Sequence, residues 1–559
     1  MDFVCEYDRE NCKLTLVNVL NENSEISGKT QDESNVMSSG NSAKAQDESN
    51  VMSSGNSAKA QNESNVMSSG NSAKAQDSKY IAETIETIGE LQVAVVGKTD
   101  KSLPEIAKAY LEYGNDIINH ISGLYYIMVA DSAKKCLCVY SDLMACGINL
   151  YYTEFEGKTI FSTSFGRICK MLPKRTLDDN AKIAMAKFGY VPGESTIVAE
   201  VKKVAPLHFL TVTGQSINQT AGNYELGQTS VAAATVNWNS NLEAAITSYM
   251  DDEIAMPLSG GYDSNYILYC LNKNTDKSVN LYSIGGQTGA DETGYVREIA
   301  KHYNRHTLKI GFIAPNLTAK LQEIVERTEG QVFERGIFLQ YMLASLVSKG
   351  GDKSLLCGEG ADQIMDGKFA DDVSRCLNGE YRGISNAYEF CAYVILRKSA
   401  LMLKSFGIEG KYPYLDKNVI ANSMALKDYN KSDKAFHKDN CRKLFDCEVS
   451  KVIHKEGGAT SFHSLFASES EADEFVASVE AGDYYKDIVG KTKLLPGGND
   501  SGRMKKAVSQ LGESAKKIVK MAGAGSLNTI LPAYRKKERQ IRNALLVEYL
   551  RLTEEIFVK

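Results

Sequence analysis

Ser259-Gly260-Gly261-Tyr262-Asp263-Ser264 brings two hydroxyls, two glycines and a carboxylate into six residues. The apolar run Ile254-Ala255-Met256-Pro257-Leu258 precedes it, and a helix-like segment from Asn265 to Leu271 follows. A strand that turns through glycines into a helix aims backbone N–H groups and the positive end of the helix dipole at one point. Glycine lets the backbone approach an anion closely, and the hydroxyls of Ser259 and Ser264 add donors. Asp263 makes sense in such a loop if it holds a cation that bridges to phosphates. The chemistry is phosphate binding, through a loop without the Gly-Lys-Ser/Thr ending of a Walker loop. Read alone, the hexapeptide is also compatible with an ordinary strand–helix turn. About a hundred residues on, Leu355-Leu356-Cys357-Gly358-Glu359-Gly360-Ala361-Asp362 repeats the pattern of an apolar strand ending in a glycine turn that carries acids.

The first stretch resembles the Ser-Gly-Gly-x-Asp-Ser loop of ATP pyrophosphatases, which cleave ATP to AMP and pyrophosphate. The second resembles the Ser-Gly-Glu-Gly-x-Asp of the asparagine synthetase family. Lys411-Tyr412-Pro413-Tyr414-Leu415-Asp416 resembles that family's Arg-x-Pro-Phe-Leu-Asp, and Lys438-Asp-Asn-Cys-Arg442 its Lys-x-x-Leu-Arg. The matches keep the family's order, and the resemblance covers roughly 90–470. It implies adenylation of a carboxylate with ATP and Mg2+. Leu258, Ser259, Gly260, Gly261, Asp263, Ser264 and Gly358 would hold ATP and pyrophosphate. Asp263 and Asp362 match the positions that hold magnesium, Ser283 and Gly285 end the strand that binds adenine, and Lys438 would meet the phosphates. Glu359 stands where β-lactam synthetases use a tyrosine as base and asparagine synthetases a glutamate. A glutamate between glycines beside the adenylate would deprotonate the amine.

Lys451-Val-Ile-His-Lys455-Glu-Gly-Gly-Ala-Thr-Ser-Phe462 resembles the carboxy-terminal loop of β-lactam and carbapenam synthetases, whose lysine stabilises the reacting centre. The ungapped match places that lysine at Lys451, and matching on the Lys-Glu pair of asparagine synthetases places it at Lys455. The ungapped match is preferred. Glu380 and Glu389 fall where the lactam synthetases keep a supporting glutamate.

These residues need a scaffold. Strands over 279–284 and 354–357 alternate with helical stretches over 291–303 and 316–328, so 235–470 reads as a parallel-sheet ATP-binding domain. Ahead of it, Leu91–Val96, Gly123–Asp131 and Lys135–Tyr140 read as strands and Leu103–Tyr113 as a helix. Cys146-Gly-Ile-Asn-Leu-Tyr-Tyr152 resembles the family's Gly-Ile-Lys-Pro-Leu-Tyr-Tyr. The resemblance implies an α/β fold class: an amino-terminal-nucleophile αββα sandwich over 1–220, then the ATP-pyrophosphatase domain.

A glutaminase of that type needs a cysteine whose own α-amino group is free to act as base. Here Met1-Asp2-Phe3-Val4-Cys5 places the cysteine four residues late. Val96-Gly-Lys-Thr99 replaces the family's Asn-Gly-Glu-x-Tyr-Asn, and Leu103 or Pro104 replaces the acid that grips glutamine. The expectation is a retained scaffold without glutaminase chemistry; proteolytic exposure of Cys5 is the alternative. Residues 31–75 hold three copies of a polar fifteen-residue unit with too little apolar surface to offset its ordering entropy, and so read as a disordered insertion.

Composition fits this reading. The chain has 559 residues, 43% hydrophobic and 24% charged, with a net charge of −6. That implies several domains and no general polyanion partner. No apolar run reaches membrane-spanning length and no signal peptide opens the chain. Twelve cysteines at irregular spacings suit reduced thiols in the cytoplasm. The partners expected are a small-molecule or peptide carboxylate and an amine, without nucleic acid or membrane, in a monomer or homodimer. Residues 483–559 hold 16 Lys+Arg against 8 Asp+Glu. They read as a basic helical extension that either contacts an acidic partner or packs on the domain by one face.

Overall fold

The structure is a computed structural model that describes residues 2–17, 84–222, 229–250, 253–285, 292–312, 317–366, 391–426, 462–492 and 536–559. The repeats of 31–75 lie outside the described residues, as do Glu380, Glu389, Lys438, Lys451 and Lys455.

The amino-terminal half pairs two antiparallel sheets. One has five strands in the order Lys13–Leu16, Val4–Asp8, Lys158–Ser162, Tyr151–Phe155 and Lys202–Lys203. The other has six, in the order Ile217–Ala221, His208–Thr213, Cys136–Ser141, Gly123–Asp131, Leu91–Thr99 and Glu86–Ile88. Successive strand side chains point to opposite faces, so one strand can feed two cores. Tyr126, Met128 and Ala130 join Cys5, Tyr7 and Phe161 between the sheets. Tyr125, Ile127 and Val129 meet Ile106 and Tyr110 of the helix Leu103–Tyr113 on the outer face. Beyond the five-stranded sheet, Tyr151 packs with Phe165 and Ile168 of the helix Phe165–Met171 and with Ala181 and Met185 of the helix Asp179–Phe188. The layers are therefore helix, sheet, sheet, helix.

The second half is built on five parallel strands in the order Thr307–Phe312, Asn280–Gly285, Ala255–Pro257, Ser354–Leu356 and Glu409–Lys411. Ala255–Pro257 is earliest in the chain and lies in the middle. The chain first builds outward on one side, then crosses to the other. Open parallel sheets of this order bind ligands beyond the carboxyl ends of the strands where the order reverses. Here that point lies between Ala255–Pro257 and Ser354–Leu356, the two strands that run into the glycine-rich turns. The helix expected over 316–328 divides into a 3-10 turn, Leu317–Lys320, and a helix, Leu321–Arg327.

The described carboxy-terminal segment packs on the domain, one of the two expected arrangements. The helix over 536–557 buries Ile541, Ala544, Leu545, Leu546, Val547, Tyr549 and Leu550. Its apolar side is enclosed, while Glu548, Arg551 and Glu555 form ion pairs on a side that keeps contact with solvent. Tyr549 Oη lies 2.7 Å from Thr328 Oγ1, and Lys182 of the sandwich pairs with Glu554 at 3.1 Å. In its described part this basic segment joins the main core through its apolar side.

Candidate active site

Both glycine-rich turns open onto one cavity of about 430 Å³. Leu258, Ser259, Asp263 and Ser264 reach it from the first turn, Ser283 from the neighbouring strand, and Gly358, Glu359 and Asp362 from the second turn. Residues a hundred apart in sequence are thus brought together at the switch point. A Cβ built on Gly358 would lie 3.7 Å from Asp263 Cβ and from Ser264 N, so the two turns face each other closely.

Local chemistry shapes the first turn. Gly261 caps the helix Tyr262–Asn274. Ser259 N–H donates to Ser264 Oγ at 3.2 Å, the two hydroxyl oxygens lie 3.0 Å apart, and Gly261 N–H donates to Ser259 Oγ at 3.2 Å. Buried Asn265 donates to the carbonyls of Ser259 and Gly261 at 2.9 and 2.7 Å. Tyr414, from the Lys411–Asp416 motif, donates its hydroxyl to the Asp263 carbonyl at 2.9 Å. Gly285 ends its strand so close to its neighbours that a Cβ would meet Thr293 Cγ2 at 2.7 Å and the Phe312 ring at 2.8 Å. Gly260, Gly261 and Gly285 support the site without lining the cavity.

In the second turn Gly360 has φ +92, a conformation that favours glycine. Glu359 Oε1 accepts a 2.6 Å hydrogen bond from Gln340 Nε2. The remaining wall comes from Leu339, Gln340 and Leu343 of the helix Ile337–Gly350, with Ile395 and Ser464. Ser464 lies in the segment Phe462–Leu465, whose Phe462 N–H donates to Glu538 of the carboxy-terminal helix at 3.1 Å.

Sequence reasoning missed two of these polar groups. Glu292 lines the cavity, and its Oε2 accepts from Gly260 N–H at 2.9 Å, an amide expected to meet phosphate. Gln340 stands in the apolar run Ile337-Phe338-Leu339-Gln340-Tyr341, and one amide in such a run was the available signal.

The glutaminase position can also be located. Cys5 lies within the strand Val4–Asp8, opposite Leu16 on one side and Phe161 on the other, and is fully buried. Burial pushes its thiol well up from the ordinary range, with the Glu6 charge adding to the effect.

Residues 237–377 match the family model described as asparagine synthase, and residues 90–224 the one described as glutamine amidotransferase domain. Together with the relative described next, these matches support a likeness to the asparagine synthetase family. The amidotransferase match covers eight of the eleven sandwich strands and the asparagine synthase match four of the five parallel strands, leaving out Glu409–Lys411. A relative in Bacillus subtilis, asparagine synthetase (glutamine-hydrolysing) 1, is 23% identical over 277 residues, which is 48% of this chain and 43% of the relative. The match therefore spans less than half of that relative's length. Two solved structures align more loosely. A U34-tRNA thiolase, NcsA, from Methanococcus maripaludis is 14% identical over 42% of this chain and 79% of its own, with a TM-score of 0.21. Glutamine phosphoribosylpyrophosphate amidotransferase from B. subtilis is 7% identical over 42% of this chain and 64% of its own, with a TM-score of 0.17. Both scores are too low to bear on this chain.

Proposed function

We propose that this protein is an ATP-dependent amide-forming ligase of the asparagine synthetase family. It adenylates a carboxylate, releases pyrophosphate and passes the acyl group to an amine. One observation carries the reading: the phosphate loop, the end of the strand Asn280–Gly285 and the Glu359 turn share one cavity.

In the first step a carboxylate oxygen attacks the α-phosphorus of ATP, the α–β phosphoanhydride breaks, and pyrophosphate leaves. The loop's donors and the helix Tyr262–Asn274 would hold the departing charge. Ser283 and the close turn at Gly285 would seat the adenine. Asp263 and Asp362 both line the cavity, and two carboxylates suit Mg2+ shared with nucleotide phosphates. When bound, the ion offsets phosphate charge. In the second step the amine nitrogen attacks the acyl carbon, the bond to AMP breaks, and Glu359 takes the amine's proton. Lys438 and Lys451, or Lys455, would add positive charge at the phosphates and the reacting carbonyl.

The sandwich would serve as scaffold without glutaminase chemistry, because Cys5 has neither a free amino group nor an accessible thiol. The acid and amine would then come from specialised biosynthesis, as in β-lactam synthetases or peptide macrocyclases. A second reading, asparagine formation from ammonia, is favoured by Glu359, where the lactam enzymes use tyrosine. A non-catalytic nucleotide-binding regulator would have no use for Asp263, Asp362 and Glu359 together.

The deciding experiment incubates the protein with ATP, Mg2+ and a panel of carboxylic acids and separates the nucleotides. AMP and pyrophosphate are expected, and ADP with phosphate would refute the assignment.

A further inference from the structure

We propose that Gln340 is a positioning residue that orients Glu359 for proton acceptance in the amide-forming step. The inference rests on the ligase reading above and deepens it.

Gln340 sits in the first turn of the helix Ile337–Gly350, and its own N–H donates to Gly336 O at 2.9 Å. Glu359 sits in the turn after the strand Ser354–Leu356. Both side chains line the cavity, joined by the 2.6 Å bond from Nε2 to Oε1. Only the Nε2 end of the amide can face a carboxylate, since the reverse orientation would press two acceptors together.

Stability does not account for a glutamine here. Its neighbours Leu339 and Leu343 are apolar, and its Oε1 is buried with no hydrogen-bond partner among the described residues. A buried amide oxygen left unsatisfied is disfavoured, whereas leucine or methionine would incur no such cost. What the glutamine supplies and an apolar residue cannot is the bond to Glu359. A neutral donor also suits the task. It fixes one carboxylate oxygen without forming an ion pair, and an ion-paired carboxylate is a weaker base. The Cys357 thiol also bonds the Glu359 carboxylate, but a thiol is a weak donor, so the amide is the stronger anchor and the carboxylate keeps lone pairs for the amine's proton.

The test separates the two half-reactions and asks whether Gln340 acts through Glu359. The variants are Gln340→Met, which keeps length and loses the donor, Glu359→Gln, and the double variant. Acid-dependent exchange of pyrophosphate into ATP reports adenylation. L-Aspartate and the common amino acids serve as acids, with precursor peptides and β-amino acids added. Product formation is then followed with ammonium and, separately, with hydroxylamine, which is largely unprotonated at neutral pH. Thermal melting checks that each variant is folded.

Gln340→Met should lose roughly 10- to 100-fold in amide formation with ammonium, far more than it loses in exchange. Hydroxamate formation should fall much less. In the Glu359→Gln background the same substitution should add little, because coupled residues are non-additive. Equal losses in exchange and product, or full additivity in the double variant, would overturn the role of Gln340 and leave the ligase reading standing. A folded protein that supports no exchange with any acid would overturn the ligase reading and this inference with it.

Discussion

Replacing Glu292 should tighten the binding of pyrophosphate, although the residue lines the nucleotide cavity. Glu292 Oε2 accepts from Gly260 N–H at 2.9 Å. A phosphate oxygen can take that amide only after the carboxylate leaves it. A hydrogen bond to a charged group contributes roughly 1.5–3 kcal/mol, a factor of about 10–150 in affinity at 1.4 kcal/mol per tenfold. Glu292 is partly exposed, and solvent screening moves the expectation to the low end, about tenfold. Glu292→Ala should therefore bind pyrophosphate about tenfold more tightly. Glu292→Gln, which keeps a neutral acceptor, should gain about half as much in free energy, or roughly threefold, since charged hydrogen bonds are about twice as strong as neutral ones. Calorimetric titration of pyrophosphate into the wild type and both variants, with and without Mg2+, measures the effect. Weaker binding by Glu292→Ala would show that the carboxylate helps to hold the ligand. Unchanged binding would show that the Gly260 amide is not a phosphate donor.

Three further outcomes follow from burial and charge. Lys203 is buried with its Nζ bonded to the carbonyls of Val191 and Ser195, and desolvation lowers its pKa to about 7. Between pH 7 and about 10 the unfolded chain then binds more protons than the folded one, so stability rises with pH over that window. Lys203→Met should flatten the rise, and an unchanged difference in urea midpoint between pH 7 and 9 would contradict it. Leu545→Ala removes a fully buried side chain from the carboxy-terminal helix and should cost about 2–5 kcal/mol, lowering the melting temperature by roughly 2–5 °C in a chain of this length; a change below a degree would show that this helix is not part of the core. Purified protein should release no glutamate from glutamine, and Cys5 should resist iodoacetamide until the protein is unfolded. Steady glutamate release abolished by Cys5→Ala would refute the scaffold reading.

The local parts of this protein were readable from its sequence. The helix Leu103–Tyr113 lies where apolar spacing placed it, and the strand Gly123–Asp131 where β-branched and aromatic residues cluster. Ser259–Ser264 and Gly358–Asp362 stood out because glycines, hydroxyls and acids set backbone torsion and donor supply within a few residues. Such signals are short-range and survive without knowledge of the fold. The tertiary structure decided which distant side chains meet. Gln340 reaches Glu359, and Glu292 occupies the Gly260 amide, only because the parallel sheet reverses its order beside Ala255–Pro257. Neither pairing follows from spacing along the chain. Charge counts alone left the carboxy-terminal segment between an acidic partner and packing on the domain, for the same reason. Lys537 finds Glu469 and Asp473 at 2.7 and 2.9 Å, while Leu545, Leu546 and Val547 enter the core beside it. Composition records how many charges a segment carries, and packing alone assigns each of them a partner or leaves it in water.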